Sequence, residues 1–157
     1  MRTVALIVAA GRGERFGAGQ PKQYAGLAGR PVLRHAVQAF RWHPAVDGVA
    51  VVIGAGDEAA YGDAVAGLDL LPPATGGRSR QESVRLGLES LAALGPDRVL
   101  IHDAARPLVS AALIARSILL TAGHCVHQGG SLPGRSKDKG WIRSAVYTPA
   151  YRNGAAP

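Results

Sequence analysis

An uninterrupted apolar run, Val4–Val8, ends abruptly in a loop that carries glycines and cations. Continuous apolarity with β-branched residues is typical of a strand that is buried on both faces of a parallel sheet. The loop brings Gly11, Gly13, Arg15 and Lys22 to the edge where this strand ends. Glycine lets a backbone approach phosphate oxygens closely, and cations neutralise the charge there. This edge of the sheet is therefore predicted to bind a nucleotide polyphosphate.

Strand patterns alternate with helical patterns along most of the chain. This alternation, with short loops between the elements, indicates an open, mostly parallel, Rossmann-like α/β sheet flanked by helices. Ligands bind outside the carboxyl ends of the strands in such sheets, so the loop after Ala10 and the polar strand end at Asp103 are expected on one edge. Strands are predicted over Thr3–Ala10, Val49–Ile53, Leu68–Leu71 and Val99–Ile101, and helices between Pro31 and His43, over Asp57–Ala66, between Ser79 and Gly95, and from Ser110 onward. Ser79 and Glu82 form the Ser-x-x-Glu pattern of a capping box at the start of the third helix.

The composition is typical of a single globular domain. The chain has 157 residues, of which 47% are hydrophobic and 18% charged, and a domain of about 150 residues buries roughly 68–70% of its unfolded surface. No run approaches the ~20 apolar residues of a membrane span, and no cationic leader precedes the first strand. The single cysteine, Cys125, excludes an internal disulfide, as expected in a reducing compartment. We therefore expect a cytoplasmic protein that contacts no membrane.

The net charge of +7 is unevenly distributed. Residues 1–103 carry 11 Lys/Arg and 10 Asp/Glu, whereas residues 104–157 carry 7 Lys/Arg and a single acid, Asp138. Surfaces that bind nucleic acid are usually basic stripes with aromatic residues or a recognition element. The cations here are scattered through a segment that glycine and proline interrupt, so no nucleic-acid partner is predicted.

The glycine-rich loop fits neither of two common phosphate-binding motifs. Phe16 stands where the dinucleotide fingerprint requires its third glycine, and no acid ends the second strand. The Walker pattern fails as well, because no Gly-Lys-Ser/Thr sequence occurs. An ordinary glycine-rich turn with solvated arginines is therefore an alternative. The functional interpretation is favoured by a second element, Pro21–Tyr24 (Pro-Lys-Gln-Tyr), which lies one loop away from Arg15.

Three motifs in order resemble one group of enzymes. A strand that leads into Ala-Ala-Gly-x-Gly-x-Arg, followed by Pro-Lys, resembles the nucleotidyltransferases that load a phosphorylated or sugar substrate onto a nucleoside triphosphate. Within this class, Pro21–Tyr24, Gly76–Val84 and His102–Pro107 are similar to the motifs of the methylerythritol phosphate cytidylyltransferases of the non-mevalonate isoprenoid pathway. The related ribitol phosphate cytidylyltransferases tend to have valine where this chain has Ala105. They and other sugar-phosphate nucleotidyltransferases are the alternatives.

The resemblance implies the transfer of CMP from CTP to 2-C-methyl-D-erythritol 4-phosphate, with release of pyrophosphate. Arg15 and Lys22 match the two cations with which the family stabilises its pentavalent transition state. Mg²⁺ is expected on the CTP phosphates, largely without protein ligands of its own. The residues expected to bind CTP and the sugar-alcohol phosphate are Ala9, Ala10, Gly11, Gly13, Gly76, Gly77, Arg80, Ser83, Asp103, Ala104 and Arg106.

Three polar residues of these motifs also have structural interpretations. Asp103 could cap the turn that follows it or pair with Arg106. Arg80 could hold its loop against the sheet. His102 is expected to pack beneath the loop rather than act as a base, because an incoming phosphate is already deprotonated.

The character of the sequence changes near residue 117. Residues 1–116 are predicted to form the N-terminal part of a nucleotidyltransferase domain. Residues 117–157 are predicted to form a poorly structured basic tail, without clear helical or strand periodicity, which would leave the sheet incomplete at its C-terminus. His124-Cys125-x-His127 in this tail lacks the second ligand pair of a zinc site, so no protein-bound metal is predicted.

The tail lacks the segments that follow in the family, which are an Asp-Thr-x-Lys strand, a protruding β-arm and a Thr-Pro-Gln segment. We therefore expect a truncated or frameshifted continuation after about residue 116. Because the arm builds the family's homodimer, we do not expect that dimer here. The alternative to an active enzyme is a non-catalytic nucleotide-binding remnant.

Overall fold

The structure, a computed structural model, describes residues 1–11, 21–123 and 145–147. Its strands are β1 (Thr3–Ala9), β2 (Gly26–Leu27), β3 (Arg30–Pro31), β4 (Gly48–Ile53), β5 (Ala74–Thr75), β6 (Arg98–Asp103) and β7 (Ala145–Tyr147), and its helices are α1 (Val32–Arg41), α2 (Glu58–Val65), α3 (Arg80–Ser90) and α4 (Ala111–Gly123). Five strands form one sheet in the order β5-β4-β1-β6-β7, and every neighbouring pair in it is parallel. Strands β2 and β3 form a separate antiparallel ribbon. The predicted α/β architecture is confirmed.

The sheet separates two hydrophobic cores. Successive residues of a strand point to opposite faces, so Ala5 and Ile7 of β1 pack with α1, α2 and α4, while Val4 and Leu6 pack on the side of α3. Strand β1 pairs with β4 on one side and with β6 on the other. Its sequence is continuously apolar because both of its faces are covered.

Helix α3 lies unusually close to the sheet at Gly87, which is buried. A Cβ added at this position would lie 2.5 Å from Cγ2 of Val52 and 2.9 Å from Cδ2 of Leu6. Such distances are shorter than van der Waals contact, so only glycine allows the helix to rest at this depth. The N-terminal end of the same helix contributes to the cavity described below.

We expect Gly87→Ala to destabilise the protein. Overpacking of a core typically costs about 1–3 kcal/mol, and this outweighs the gain of up to ~1 kcal/mol in helix propensity. Gly62→Ala in α2 is the matched control, since a Cβ at Gly62 would meet nothing within 4 Å. The control should be neutral or slightly stabilising. Urea unfolding of both variants gives the comparison, and equal free energies of unfolding would contradict the packing argument.

The predicted strand over Leu68–Leu71 is wrong. These residues do not form part of the sheet, although Leu71 N–H donates to the carbonyl oxygen of Val49 at 2.9 Å. The next two residues, Pro72 and Pro73, have no N–H group and cannot donate to a ladder. Pairing with β4 therefore begins only after the prolines, in β5.

The structure describes two parts of the segment from residue 117 onward, the end of α4 and strand β7. Helix α4 has 13 residues and continues to Gly123 without a break at residue 116. Strand β7, from the same tail, extends the sheet next to β6. Residues 124–144 and 148–157, which include His124, Cys125 and His127, lie outside the described residues. Among the described helices, none has the length and apolar character needed to span a membrane.

Candidate active site

A cavity of about 1050 Å³ lies at the carboxyl ends of β1, β4 and β6. Every predicted site residue in the described part of the chain contributes to its wall. Gly13 and Arg15 belong to residues 12–20 and lie outside the described residues. The three motifs of the sequence therefore converge on one cavity, although 77 residues lie between the end of the first motif, Tyr24, and the start of the third, His102.

The described wall of the cavity is rich in positive charge. It contains Lys22, Arg78, Arg80 and Arg106, against the single carboxylate of Asp103 within the described lining. A concave surface lined mainly by one sign of charge concentrates ions of the opposite sign. The cavity is thus suited to a polyanion such as a nucleotide triphosphate.

A three-residue 3-10 turn presents Lys22 at the cavity and is anchored on two buried side chains. Lys22 is exposed, whereas Gln23 and Tyr24 are 4% and 6% exposed. Nε2 of Gln23 donates to the carbonyl oxygens of Ala9, at 2.6 Å, and Gly11, at 3.0 Å. Burial raises the pKa of Tyr24, so its phenol stays neutral in the core. The turn is therefore attached directly to the residues at which β1 ends.

The wall opposite this turn is shaped by two glycines. A Cβ on Gly76 would overlap Cβ of Ala10 and would lie 2.8 Å from Oγ of Ser83. Oγ of Ser83 accepts a hydrogen bond from Gly77 N–H at 3.1 Å and donates to the carbonyl oxygen of Ser79 at 2.9 Å. Any larger residue at Gly76 would push the two sides of this wall apart. The cavity surface here consists mostly of backbone atoms and small side chains.

Helix α3 begins with the predicted capping box. Oγ of Ser79 accepts a hydrogen bond from Glu82 N–H at 3.1 Å. The Glu82 carboxylate accepts from the N–H of Arg78 at 2.9 Å. In the usual capping box it would accept from the N–H of the cap residue itself, which here is Ser79. These two hydrogen bonds fix the loop that connects Gly76 to α3, and this loop lines the cavity.

Asp103, at the end of β6, contacts two arginines from different elements. Nε and Nη2 of Arg80 donate to its Oδ1 at 3.0 and 2.8 Å, and Nε of Arg106 donates to its Oδ2 at 3.1 Å. These side chains are 25–44% exposed, and exposed ion pairs typically contribute about 0–1 kcal/mol. The pairs therefore matter more for orienting the guanidinium groups than for stability. The structural pairing of Asp103 with Arg106 is confirmed, and Arg80 does connect α3 to the sheet.

His102 lies beneath this cluster, as the sequence predicted. Its ring is buried, lies 5.0 Å from the ring of Phe40 and is tilted by 52°. Nε2 is 2.9 Å from the carbonyl oxygen of Arg106. Since a carbonyl oxygen only accepts, the neutral ring must carry its proton on Nε2. Burial lowers the pKa of His102 below its ordinary value.

We expect the pKa of His102 to make stability depend on pH. The unfolded chain binds a proton near the ordinary pKa of about 6.5, but the folded protein binds it only at lower pH. The contribution of the neutral His102 ring to the free energy of unfolding is therefore complete above its ordinary pKa. It is lost progressively as the pH falls towards the folded-state pKa. His102→Gln keeps an amide donor near Arg106 and cannot titrate in this range. The free energy of unfolding, measured in urea between about pH 7.5 and 5.5, should fall more steeply for the wild type than for His102→Gln. Equal dependence on pH in the two proteins would contradict this assignment.

No group of three or more His, Cys, Asp or Glu side chains that could hold a metal ion occurs among the described residues. Both carboxylate oxygens of Asp103, the acid nearest the cavity, already accept hydrogen bonds from Arg80 and Arg106.

Sequence reasoning missed Gln23, Gly54 and Ala55, which also line the cavity. Gln23 belongs to a recognised motif, but its spacing gave no indication of which carbonyl groups its side chain reaches. Gly54 and Ala55 follow β4 at the same sheet edge, so the rule that ligands bind at the carboxyl ends of strands could have identified them.

A parallel α/β sheet with a cation-rich cavity at its carboxyl edge, on which the three sequence motifs converge, is typical of a nucleotidyltransferase. The family model described as "IspD: 2-C-methyl-D-erythritol 4-phosphate cytidylyltransferase" matches residues 3–133. The chain belongs to this family. The match extends past residue 116, the predicted end of the nucleotidyltransferase part of the chain.

Individual relatives agree with this assignment. The chain is 57% identical over 132 residues to a bifunctional enzyme IspD/IspF of Rhodopseudomonas palustris (strain HaA2), a match that covers 84% of this chain and 32% of that protein. It is similar to a crystal structure of 4-diphosphocytidyl-2C-methyl-D-erythritol synthase with a TM-score of 0.66 and 32% identity, covering 79% of this chain and 56% of the other. The same synthase from Anaerococcus prevotii gives a TM-score of 0.61 and 27% identity, with 76% and 50% covered. The chain thus spans about a third of the length of the curated relative and about half of these structures.

Proposed function

We propose that the chain transfers CMP from CTP to 2-C-methyl-D-erythritol 4-phosphate and releases pyrophosphate, as the resemblance of its motifs implies. The observation that carries this proposal is the convergence of Lys22, the Gly76–Gly77 wall and the Asp103 cluster on one cavity of positive charge. Membership of the cytidylyltransferase family supports the reaction type.

In this proposal the substrate's phosphate oxygen attacks the α-phosphorus of CTP in line, and pyrophosphate leaves. Such a transfer depends mainly on positioning and on neutralising charge. Lys22, with Arg15 of the same loop, stabilises the negative charge that develops on the phosphoryl group. The backbone around Gly11 and Gly13 holds the β- and γ-phosphates. Mg²⁺ that is carried by the nucleotide would supply further neutralisation of the phosphate charge.

The pyrimidine base and the ribose would occupy the side of the cavity that small residues line. Ala9, Ala10, Gly77 and Ser83 would surround them, and the close approach of Gly76 to Ala10 supports selection of a small base. Ala104, Asp103 and the two arginines would lie towards the ribose and the sugar-alcohol phosphate. The orientation of Arg80 and Arg106 by one carboxylate supports an anionic partner at this position.

We expect Lys22→Ala to lower the rate of pyrophosphate release by about 10²–10³, because loss of one preorganised contact to transition-state charge typically costs that much. Arg85→Ala is the control. Arg85 is a comparably exposed cation on α3 whose described ion pair is with Glu89 on the same helix, away from the cavity wall. Its loss should leave the rate unchanged. An undiminished rate in Lys22→Ala would contradict the proposed role.

Two assays separate the candidate functions. Pyrophosphate release from CTP with methylerythritol phosphate, compared with ribitol phosphate, tests the enzyme and its substrate. CTP-dependent thermal stabilisation tests the nucleotide site alone. Stabilisation by CTP without turnover would favour the non-catalytic remnant, and the absence of both would contradict the proposal.

We further propose that the sequence of residues 117–157 results from a change of reading frame, that the protein works in the cytoplasm, and that it does not form the family's homodimer. Loss of the family motifs and a strongly basic composition in this segment support the first statement. The single cysteine supports the second. Translation of the encoding DNA in its other two frames should reveal Asp-Thr-x-Lys and Thr-Pro-Gln. Their absence from both frames would refute the frame change.

A further inference from the structure

Gln23 is a buried polar side chain to which the proposed reaction assigns no role. It lies between an exposed cation, Lys22, and a buried aromatic residue, Tyr24, on the short turn described above. Its amide nitrogen has two hydrogens, and it contacts two carbonyl oxygens, at Ala9 and Gly11. The side chain is 4% exposed, so water does not readily replace these contacts.

The two carbonyl groups lie on either side of Ala10, where β1 has ended and the loop begins. Because the C=O and N–H of one peptide unit point in opposite directions, holding the oxygen of Ala9 also fixes the direction of the Ala10 N–H. The Gly11 N–H belongs to the next peptide unit, which lies between the two units whose oxygens Gln23 holds. The conformation in which the chain enters the glycine-rich loop therefore depends on Gln23. The cation at Lys22 is adjacent in sequence, so its backbone is fixed relative to the same loop.

We propose that Gln23 is a positioning residue which joins the two phosphate-binding parts of the site, the start of the glycine-rich loop and the turn that carries Lys22. The inference rests on the proposed function. With Gln23 in place, both parts have their relative positions before the nucleotide binds. Without it, the triphosphate has to order them, and binding becomes weaker.

Two variants of nearly equal length test the amide. Gln23→Met removes the donor and leaves a neutral side chain. Gln23→Glu at about pH 8 replaces it with a carboxylate that only accepts and that repels the two carbonyl oxygens. We expect both full-length variants to bind CTP about tenfold more weakly than the wild type, the order expected when one or two ordinary hydrogen bonds are lost.

The pH dependence distinguishes positioning from a purely structural role. A buried carboxyl group has a raised pKa and regains one donor when it is protonated. CTP binding by Gln23→Glu, relative to the wild type at the same pH, should therefore recover between about pH 8 and 6, while Gln23→Met should not recover. Calorimetry below the unfolding temperature restricts the comparison to folded protein. Wild-type affinity in both variants, with only a lower unfolding temperature, would overturn the inference.

Amide hydrogen exchange without nucleotide tests the same inference independently of CTP. In Gln23→Met the amides of Ala10 and Gly11 should exchange about tenfold faster, because their local opening is less costly. Amides in the middle of β6 serve as the internal reference and should be unchanged. Unchanged exchange at Ala10 and Gly11 would contradict the inference alone, whereas a wild type that binds no CTP would contradict the proposed function.

Discussion

The pairing of β1 with a parallel strand on each side determines where the parts of the cavity lie. In this register Ala9 is opposite Ile53 and Val8 is opposite Asp103. The loops that follow β1, β4 and β6 therefore leave the sheet at the same level and on the same edge. Because both faces of β1 are buried, a shift of register would expose apolar side chains or break this alignment. The energetics of the core and the geometry of the site thus depend on one strand.

Close approach of glycine backbone to the side chains of neighbouring elements is the second condition for the site. The glycine at position 87 allows α3 to rest on the sheet, and the glycine at position 76 lets the loop before α3 pass Ala10. The cap of the same helix then fixes the loop from the other end. One wall of the cavity is consequently set by packing of the helix rather than by contacts among the functional groups. This separation allows the wall to keep its shape while the charged side chains respond to a ligand.

Sequence patterns predicted the features that arise from neighbouring residues. They missed the contacts between residues that are far apart in the sequence. The apolar run of β1 and the Ser-x-x-Glu cap are local signals, and both correspond to observed structure. The prediction of a strand over Leu68–Leu71 was wrong because an apolar run does not show whether a neighbouring strand will pair with it. The two prolines that follow have no N–H group to donate to such a ladder. The reach of Gln23 to β1 and the contact of Arg80 with Asp103, 23 positions away, depend on how the sheet brings loops together. Spacing in the sequence does not encode such contacts.

The ion pairs of Asp103 determine at which step the entropy cost of ordering Arg80 and Arg106 is incurred. A free arginine side chain loses up to about 2 kcal/mol of rotamer entropy when it is immobilised. Here one carboxylate restrains two guanidinium groups in the protein itself, so part of this loss accompanies folding rather than association. An anion that reaches this side of the cavity meets donors whose freedom is already reduced. Salt screens these half-exposed ion pairs and so weakens the restraint. The degree to which the two arginine side chains are ordered before an anion binds therefore depends on ionic strength.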